Sequence, residues 1–206
     1  MDKVDLKKAL DSYQGRRGEF RVLDVPPHDY LMVDGQGDPN TSAAFAQAIE
    51  ALYPVAYKLK FGSTSEHGRD YVVPPLEGLW WADDPSTFVT GGDRAGWLWT
   101  LLLMVPDWLG ASEVDAAITK AGAKTPPARL GDVRLETLDE GRCVQTLHLG
   151  PFAYEGPVLA RMHNEVIPAQ GLAMSGRHHE IYFSDFRRTP AARLRTILRQ
   201  PVSWSD

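Results

Sequence analysis

The sequence predicts an α+β fold in which one module occurs twice, giving two antiparallel sheets with helices packed against them. Short aromatic and β-branched runs alternate with turn residues, as strands do, and apolar residues at helical spacing interrupt them. The order hairpin, helix, strands then occurs twice, from Phe20 to Val105 and from Val133 to Asp185, although direct identity between the halves is low.

Residues 1–19 form a polar N-terminal extension that starts as a short helix or an arm. Phe20 to Asp24 and Tyr30 to Asp34 are strand candidates around the turn Pro26-Pro27-His28-Asp29, and their spacing predicts a hairpin. Gly35 to Asn40 leaves the second strand with capping residues. From Thr41 to about Tyr53, Phe45, Ile49 and Leu52 recur on one helical side with Ala48; Pro54 removes a backbone donor, so the helix kinks or resumes after it. Tyr71 to Val73, Leu79 to Trp81 and Gly96 to Val105 follow as strands, with turns at Asp83-Asp84-Pro85 and Gly91-Gly92-Asp93. Ala111 to Ala121 suits a second helix and Thr125-Pro126-Pro127 a linker.

The second half repeats the pattern. Val133 to Thr137 and Arg142 to Leu147 make a hairpin around Asp139-Glu140-Gly141. A helix follows from about Glu155 to Ile167, with Pro157 in its first turn and Pro168 at its end. His178 to Phe183 reads as a strand. The chain then closes with a short helix, Thr189 its N-cap and Leu194, Ile197 and Leu198 its docking side. The expected organisation is one domain over 20–202, with module one at about 20–105, a connecting segment at about 106–132 and module two at about 133–202.

Composition narrows the function. Hydrophobic residues at 43% and charged residues at 24% are ordinary for a globular protein. A formal charge of -5 gives no reason to expect direct nucleic-acid binding, and Arg187, Arg188, Arg193, Arg195 and Arg199 read as a solvated helix face. Cys143 is the only cysteine, which excludes an intramolecular disulfide and a cysteine-zinc site; it reads as a buried inert thiol. The apolar run Trp97 to Val105 is nine residues, too short for a membrane helix. With no targeting segment in view, a cytoplasmic location and a monomer or homodimer are expected.

The chemistry concentrates in Arg177 to Asp185. A strand sends alternate side chains to opposite faces, so His178, Glu180 and Tyr182 share one face and His179, Ile181 and Phe183 the other. The face with Glu180 reads as chemical and the face with Ile181 as core. Burial of Glu180 would raise its proton affinity and fit it for acid or base work. The alternative is a structural carboxylate bonded to His178 or an arginine. Trp97 and Trp99 would line a cleft facing this strand, or form a packing stripe; at most one of Trp80 and Trp81 would join them. Tyr53 and Tyr57 either line up toward a ligand or cover the sheet. Tyr154 and Glu155 reach a ligand from the rim or serve as a helix-start pair. Adjacent His178 and His179 point apart, so no metal site is expected. A phosphate loop, a dinucleotide fingerprint and a nucleophile elbow are all missing from the sequence, leaving cofactor-independent chemistry or plain binding.

The stretch His178-His179-Glu180-Ile181-Tyr182-Phe183-Ser184-Asp185-Phe186-Arg187-Arg188-Thr189-Pro190, with Leu194 to Val202, Tyr53-Pro54, Tyr57 and Gly150-Pro151-Phe152-Tyr154, resembles the GyrI-like small-molecule-binding superfamily. The resemblance spans roughly Phe20 to Val202 and implies tandem β-α-β-β modules with a central ligand cleft between them, which accepts a bulky aromatic or cationic small molecule over a floor glutamate, here Glu180. The stretch is similar to a standalone branch, some members of which are cyclopropanoid cyclopropyl hydrolases that add water to the cyclopropane of DNA-alkylating natural products. That implies a hydrolase with Glu180 activating water and Tyr154 as its catalytic residues, and with Tyr182, Trp97 and Trp99 around the ligand. His178, Tyr57 and Glu155 complete the expected ligand-binding set. Binding without turnover is the alternative, and inhibition of a macromolecule, which gave the superfamily its name, is a third reading.

Overall fold

The computed structural model describes residues 3–82 and 94–205; the predicted turns at 83–85 and 91–93 lie outside them. The strands are β1 (Arg21–Val25), β2 (His28–Gln36), β3 (Leu76–Trp81), β4 (Leu98–Met104), β5 (Arg134–Leu138), β6 (Gly141–Leu149), β7 (Leu172–Met174), β8 (His178–Tyr182) and β9 (Arg195–Trp204). The helices are α1 (Leu6–Ala9), α2 (Ala43–His67), α3 (Ala111–Gly122), α4 (Gly156–Arg161) and α5 (Ile167–Ala169), the last two joined through a π turn at Met162–Val166. The antiparallel α+β architecture is therefore the one expected.

Its connectivity differs from two separate sheets. All strands but β7 lie in one continuous order, β1-β6-β9-β8-β3-β4-β2-β5, with β7 added against β9. The two β-α-β-β units meet edge to edge through β3 and β8 at the centre. The strand equivalent to β8 is thus β3, not the Trp97-Trp99 strand, because β4 holds the place that β9 holds in the other half.

Neither predicted hairpin forms. β1 pairs with β6 and β5 pairs with β2, so each half lends its leading strand to the far edge of the other. Pro26 and Pro27 separate β1 from β2, and their missing donors favour a change of direction over a tight ladder. Tyr71 to Val73 makes only a bridge, from Tyr71 to Val4, and the strand after it begins earlier than expected, at Leu76.

The predicted last helix is a correction. Arg195–Trp204 is a ten-residue strand buried between β6, β8 and β7. Its β-branched and apolar residues Thr196, Ile197 and Val202 suit a strand, and only a single 3-10 turn at Ala191–Arg193 precedes it. Arg199 consequently faces the interior rather than solvent. By contrast α2 continues past Pro54 as one helix and ends at Gly68, whose φ of 64° makes the left-handed cap that glycine tolerates.

α2 and the 156–169 helical run both cover one sheet face. Phe45, Ile49, Leu52, Val55 and Leu59 pack on Val33, Leu101 and Leu103, while Met162 and Ile167 pack on Val144 and Leu198. The N-terminal segment crosses the other face, where Tyr13 is buried with Leu79, Leu102 and Ile181. Both faces are covered, which is why β4 is buried at every position after Leu98.

Candidate functional site

The central pair β3 and β8 forms the floor between the two helical layers. Its register sets Trp80 opposite His178, Gly78 opposite Glu180 and Leu76 opposite Tyr182. Opposed residues share a face, so His178, Glu180 and Tyr182 do face the same side, together with Trp80.

Tyr182 links these groups. Its hydroxyl donates to Glu180 Oε2 at 2.8 Å and accepts from Trp80 Nε1 at 2.9 Å. His178 Nε2 lies 3.4 Å from Glu180 Oε1, and both side chains keep 15% of their surface exposed. Burial, followed by the field of Glu180, holds the Tyr182 phenol well above its usual pKa, so it stays a donor. Gly78 makes the arrangement possible: a Cβ there would sit 2.8 Å from Trp80 Nε1 and 3.1 Å from the Tyr182 hydroxyl.

Aromatic rings wall the group. Phe152, Tyr182 and Phe186 meet edge to face with centroids 5.6 to 5.8 Å apart. Trp97 meets Trp80 edge-on at 6.0 Å, and Phe45 stacks on Trp80 from α2 at 5.9 Å. Such faces and edges suit flat or cationic ligands.

Glu155 reaches the same floor from the turn before α4. It is only 5% exposed, and its Oε1 has no hydrogen-bond partner among the described residues. Burial, then the field of Glu180, pushes its carboxyl up to about 10, against the opposing hydrogen bond from Thr196. His163 in the π turn lies with its ring 6.4 Å from that of His178. Burial and that neighbour pull its pKa down to about 4.

Other expected residues stand elsewhere. Trp99 has no exposed surface; it fills the core against Phe45, and a side chain at Gly35 would overlap its ring. It is therefore a packing residue and not part of a wall. Tyr57 is 47% exposed on the outer side of α2, stacked on Tyr53 at 6.4 Å. Tyr154 is 68% exposed, at the rim and away from Glu180, whereas its neighbour Glu155 points inward. Phe152, Phe186, Thr196 and His163 were missed by sequence reasoning. Phe186 carried a signal, as an aromatic residue just past the Glu180 strand, and Phe152 another, in the Gly150-Pro151-Phe152-Tyr154 helix entry.

The opposite face of β8 is not simple core. His179 Nε2 lies 2.9 Å from Glu77 Oε2, and its Nδ1 lies 2.9 Å from Glu140 Oε1. Glu140 Oε2 accepts from Arg199 Nη1 at 2.6 Å, Arg199 also donates to Gln145 and the Ser12 carbonyl, and Tyr13 donates to Glu77. A cavity of about 390 Å³ opens beside this network, lined by Leu79, Glu140, Arg177 and Pro201 among others. The acid that lines this cavity, Glu140, has both oxygens taken by His179 and Arg199, so Glu180, partly exposed and set among aromatic rings, is the better candidate. Cys143 is buried, and burial pushes its thiol up to about 12, which makes it a poor nucleophile. No helix among the described residues is long and apolar enough to cross a membrane.

Comparison with known proteins identifies the family of this fold. Residues 110–203 match the profile of the GyrI-like small molecule binding domain. A conserved protein of Listeria innocua, described as uncharacterized, is 38% identical over 98% of this chain and 100% of its own, with a TM-score of 0.88. The chain belongs to the GyrI-like family. Two structures of hydrolases from Listeria innocua share 35% and 36% identity with this GyrI-like chain, again over 98% of it and 100% of theirs, at TM-scores of 0.84 and 0.86. No curated protein matched the sequence. The family match covers β8 and Glu180, the helical run and β9, which together carry most of the candidate site.

Proposed function

We propose that this GyrI-like protein is a cofactor-independent hydrolase that adds water to the strained cyclopropane of flat, conjugated, DNA-alkylating small molecules. The observation that carries the reading is the Glu180 carboxyl group, held by the Tyr182 hydroxyl beside Trp80 and a cluster of edge-to-face aromatic rings. Relatives described as hydrolases, alike over their whole length, support the reaction class. The resemblance of His178 to Pro190 and Leu194 to Val202 to the branch with cyclopropanoid hydrolases supports the substrate.

In this mechanism the ligand ring system rests against Trp80, Trp97, Phe152 and Phe186, with Tyr154 at the rim. Glu180 takes a proton from water as the oxygen attacks the cyclopropane carbon. The carbon–carbon bond opens, and its electrons pass through the conjugated ring to the carbonyl oxygen. Tyr182 holds the Glu180 carboxylate in place, and His178 is near enough to orient the water. A site that excludes bulk water strengthens each of these interactions.

The test is incubation with a duocarmycin-type cyclopropane compound, following ring opening by chromatography and mass. Glu180→Gln keeps the shape of the floor, removes the base, and should lower turnover by about 10²- to 10⁴-fold while leaving binding largely intact. Normal turnover by the variant would eliminate Glu180 as the base. Tight binding with no product from the wild type would make the groove a sequestering pocket, the alternative its aromatic rings and carboxylate equally suit.

A further inference from the structure

Two carboxyl groups share the buried floor, and they are partnered differently. Glu180 accepts the Tyr182 hydroxyl at 2.8 Å, has His178 within 3.4 Å and retains some exposure. Glu155 is almost wholly buried, and one of its oxygens meets no donor or acceptor among the described residues. Like charges in one low-polarity site do not both ionise, and the proton stays on the less solvated partner. A buried oxygen without a partner would be costly unless a ligand completes it.

We propose that Glu155 is kept as a neutral carboxylic acid and serves as the proton donor that complements Glu180. This rests on the hydrolase reading for its chemistry. Water gives its oxygen to the cyclopropane carbon and a proton to Glu180. The electrons of the broken carbon–carbon bond reach the ligand carbonyl oxygen, which takes the proton of Glu155 and becomes a phenol. The sum is the addition of one water, and the proton on Glu180 returns to Glu155 through solvent before the next cycle.

The helix-start position follows from this assignment. Gly150 at φ 119° and the 3-10 turn at Phe152–Tyr154 swing the chain over β9, so that Tyr154 faces out and Glu155 faces in, toward Thr196. The ionisable groups around Glu155 are Glu180 and Tyr182 on β8, His178 beyond them, His163 in the π turn and His148 on β6, which pairs with Thr196.

Infrared difference spectroscopy on the full chain at neutral pH tests the proton directly. The wild type should show the carbonyl stretch of a neutral carboxyl that disappears in Glu155→Gln, persists in Glu180→Gln, and moves when a duocarmycin-type compound binds. A missing band, or a band indifferent to that compound, overturns the proposal whether or not the wild type turns the compound over. Where turnover occurs, Glu155→Gln should lose about 10²- to 10⁴-fold in kcat with less change in KM. The wild-type rate should also fall as pH rises through the Glu155 range near 10, a limb absent from the variant's residual rate. A limb that survives in Glu155→Gln belongs to Tyr182 or another neighbour and would also overturn the assignment.

Discussion

Replacing Glu140 with glutamine removes the charge that balances both Arg199 and His179 behind the site. Burial alone pulls the His179 pKa down, but the field and hydrogen bond of Glu140, with Glu77, more than reverse this and raise it to about 9. Glu140 responds in kind: burial pushes it up, and His179 and Arg199 bring it down to about 2. Each tenfold in proton affinity is worth about 1.4 kcal/mol. The rise from 6.5 to about 9 therefore makes protonation of His179 worth about 3 kcal/mol of folding stability. Because the folded value is the higher one, that stability is fully present below pH 6.5 and is lost as pH rises through about 9. Breaking the buried pair by Glu140→Gln should cost about 3–5 kcal/mol at neutral pH, since two cations are left facing Glu77 alone. It should also flatten the alkaline loss, because the His179 proton is no longer held by Glu140. Urea unfolding of both proteins between pH 6.5 and 9, followed by tryptophan fluorescence, measures the difference. His163, held near 4, acts at lower pH with the opposite sign and is common to both proteins. Two stability curves that run parallel across the window would refute the charge balance.

Two further substitutions test the floor. Tyr182→Phe deletes the hydroxyl shared by Trp80 and Glu180, orphaning a buried indole N–H at a cost of about 1–3 kcal/mol; an unfolding free energy equal to wild type would show that the bond contributes nothing. Gly78→Ala drives a methyl between Trp80 and Tyr182 and should cost about 1–3 kcal/mol while weakening binding of a planar aromatic cation. Unchanged affinity in that variant would mean the ligand does not rest on this pair.

The strand carrying Glu180 was legible because its alternation is local: His178, Glu180 and Tyr182 fall on one face by the pleat alone. The helices were legible for the same reason, Phe45, Ile49 and Leu52 marking their own period. Strand pairing was not. Which partner β1 takes depends on residues more than a hundred positions away, and a proline turn gives no hint that β1 crosses to β6. β9 misled because Leu194, Ile197 and Leu198 mimic a helical stripe, although the strand is buried on both faces and so has no alternation to display. Glu155 was visible as a residue at a helix start, but its inward direction depends on Gly150 and the turn that follows.

His179 shows why the hidden face matters to the visible one. It is the sequence neighbour of Glu180, so whatever fixes the His179 ring fixes the backbone from which Glu180 projects. Glu77 ties that ring to β3, and Glu140 ties it to the turn between β5 and β6, while Arg199, opposite His179 on β9, shares Glu140. The three strands under the groove are thus joined by one charged network. A slip of β8 by one residue would point Glu180 into that network and His179 into the groove, leaving unlike sets of charges on both sides. A ladder of backbone hydrogen bonds alone would resist such a slip weakly. The buried ions make the register costly to change, and they do so without occupying any surface that a ligand would need.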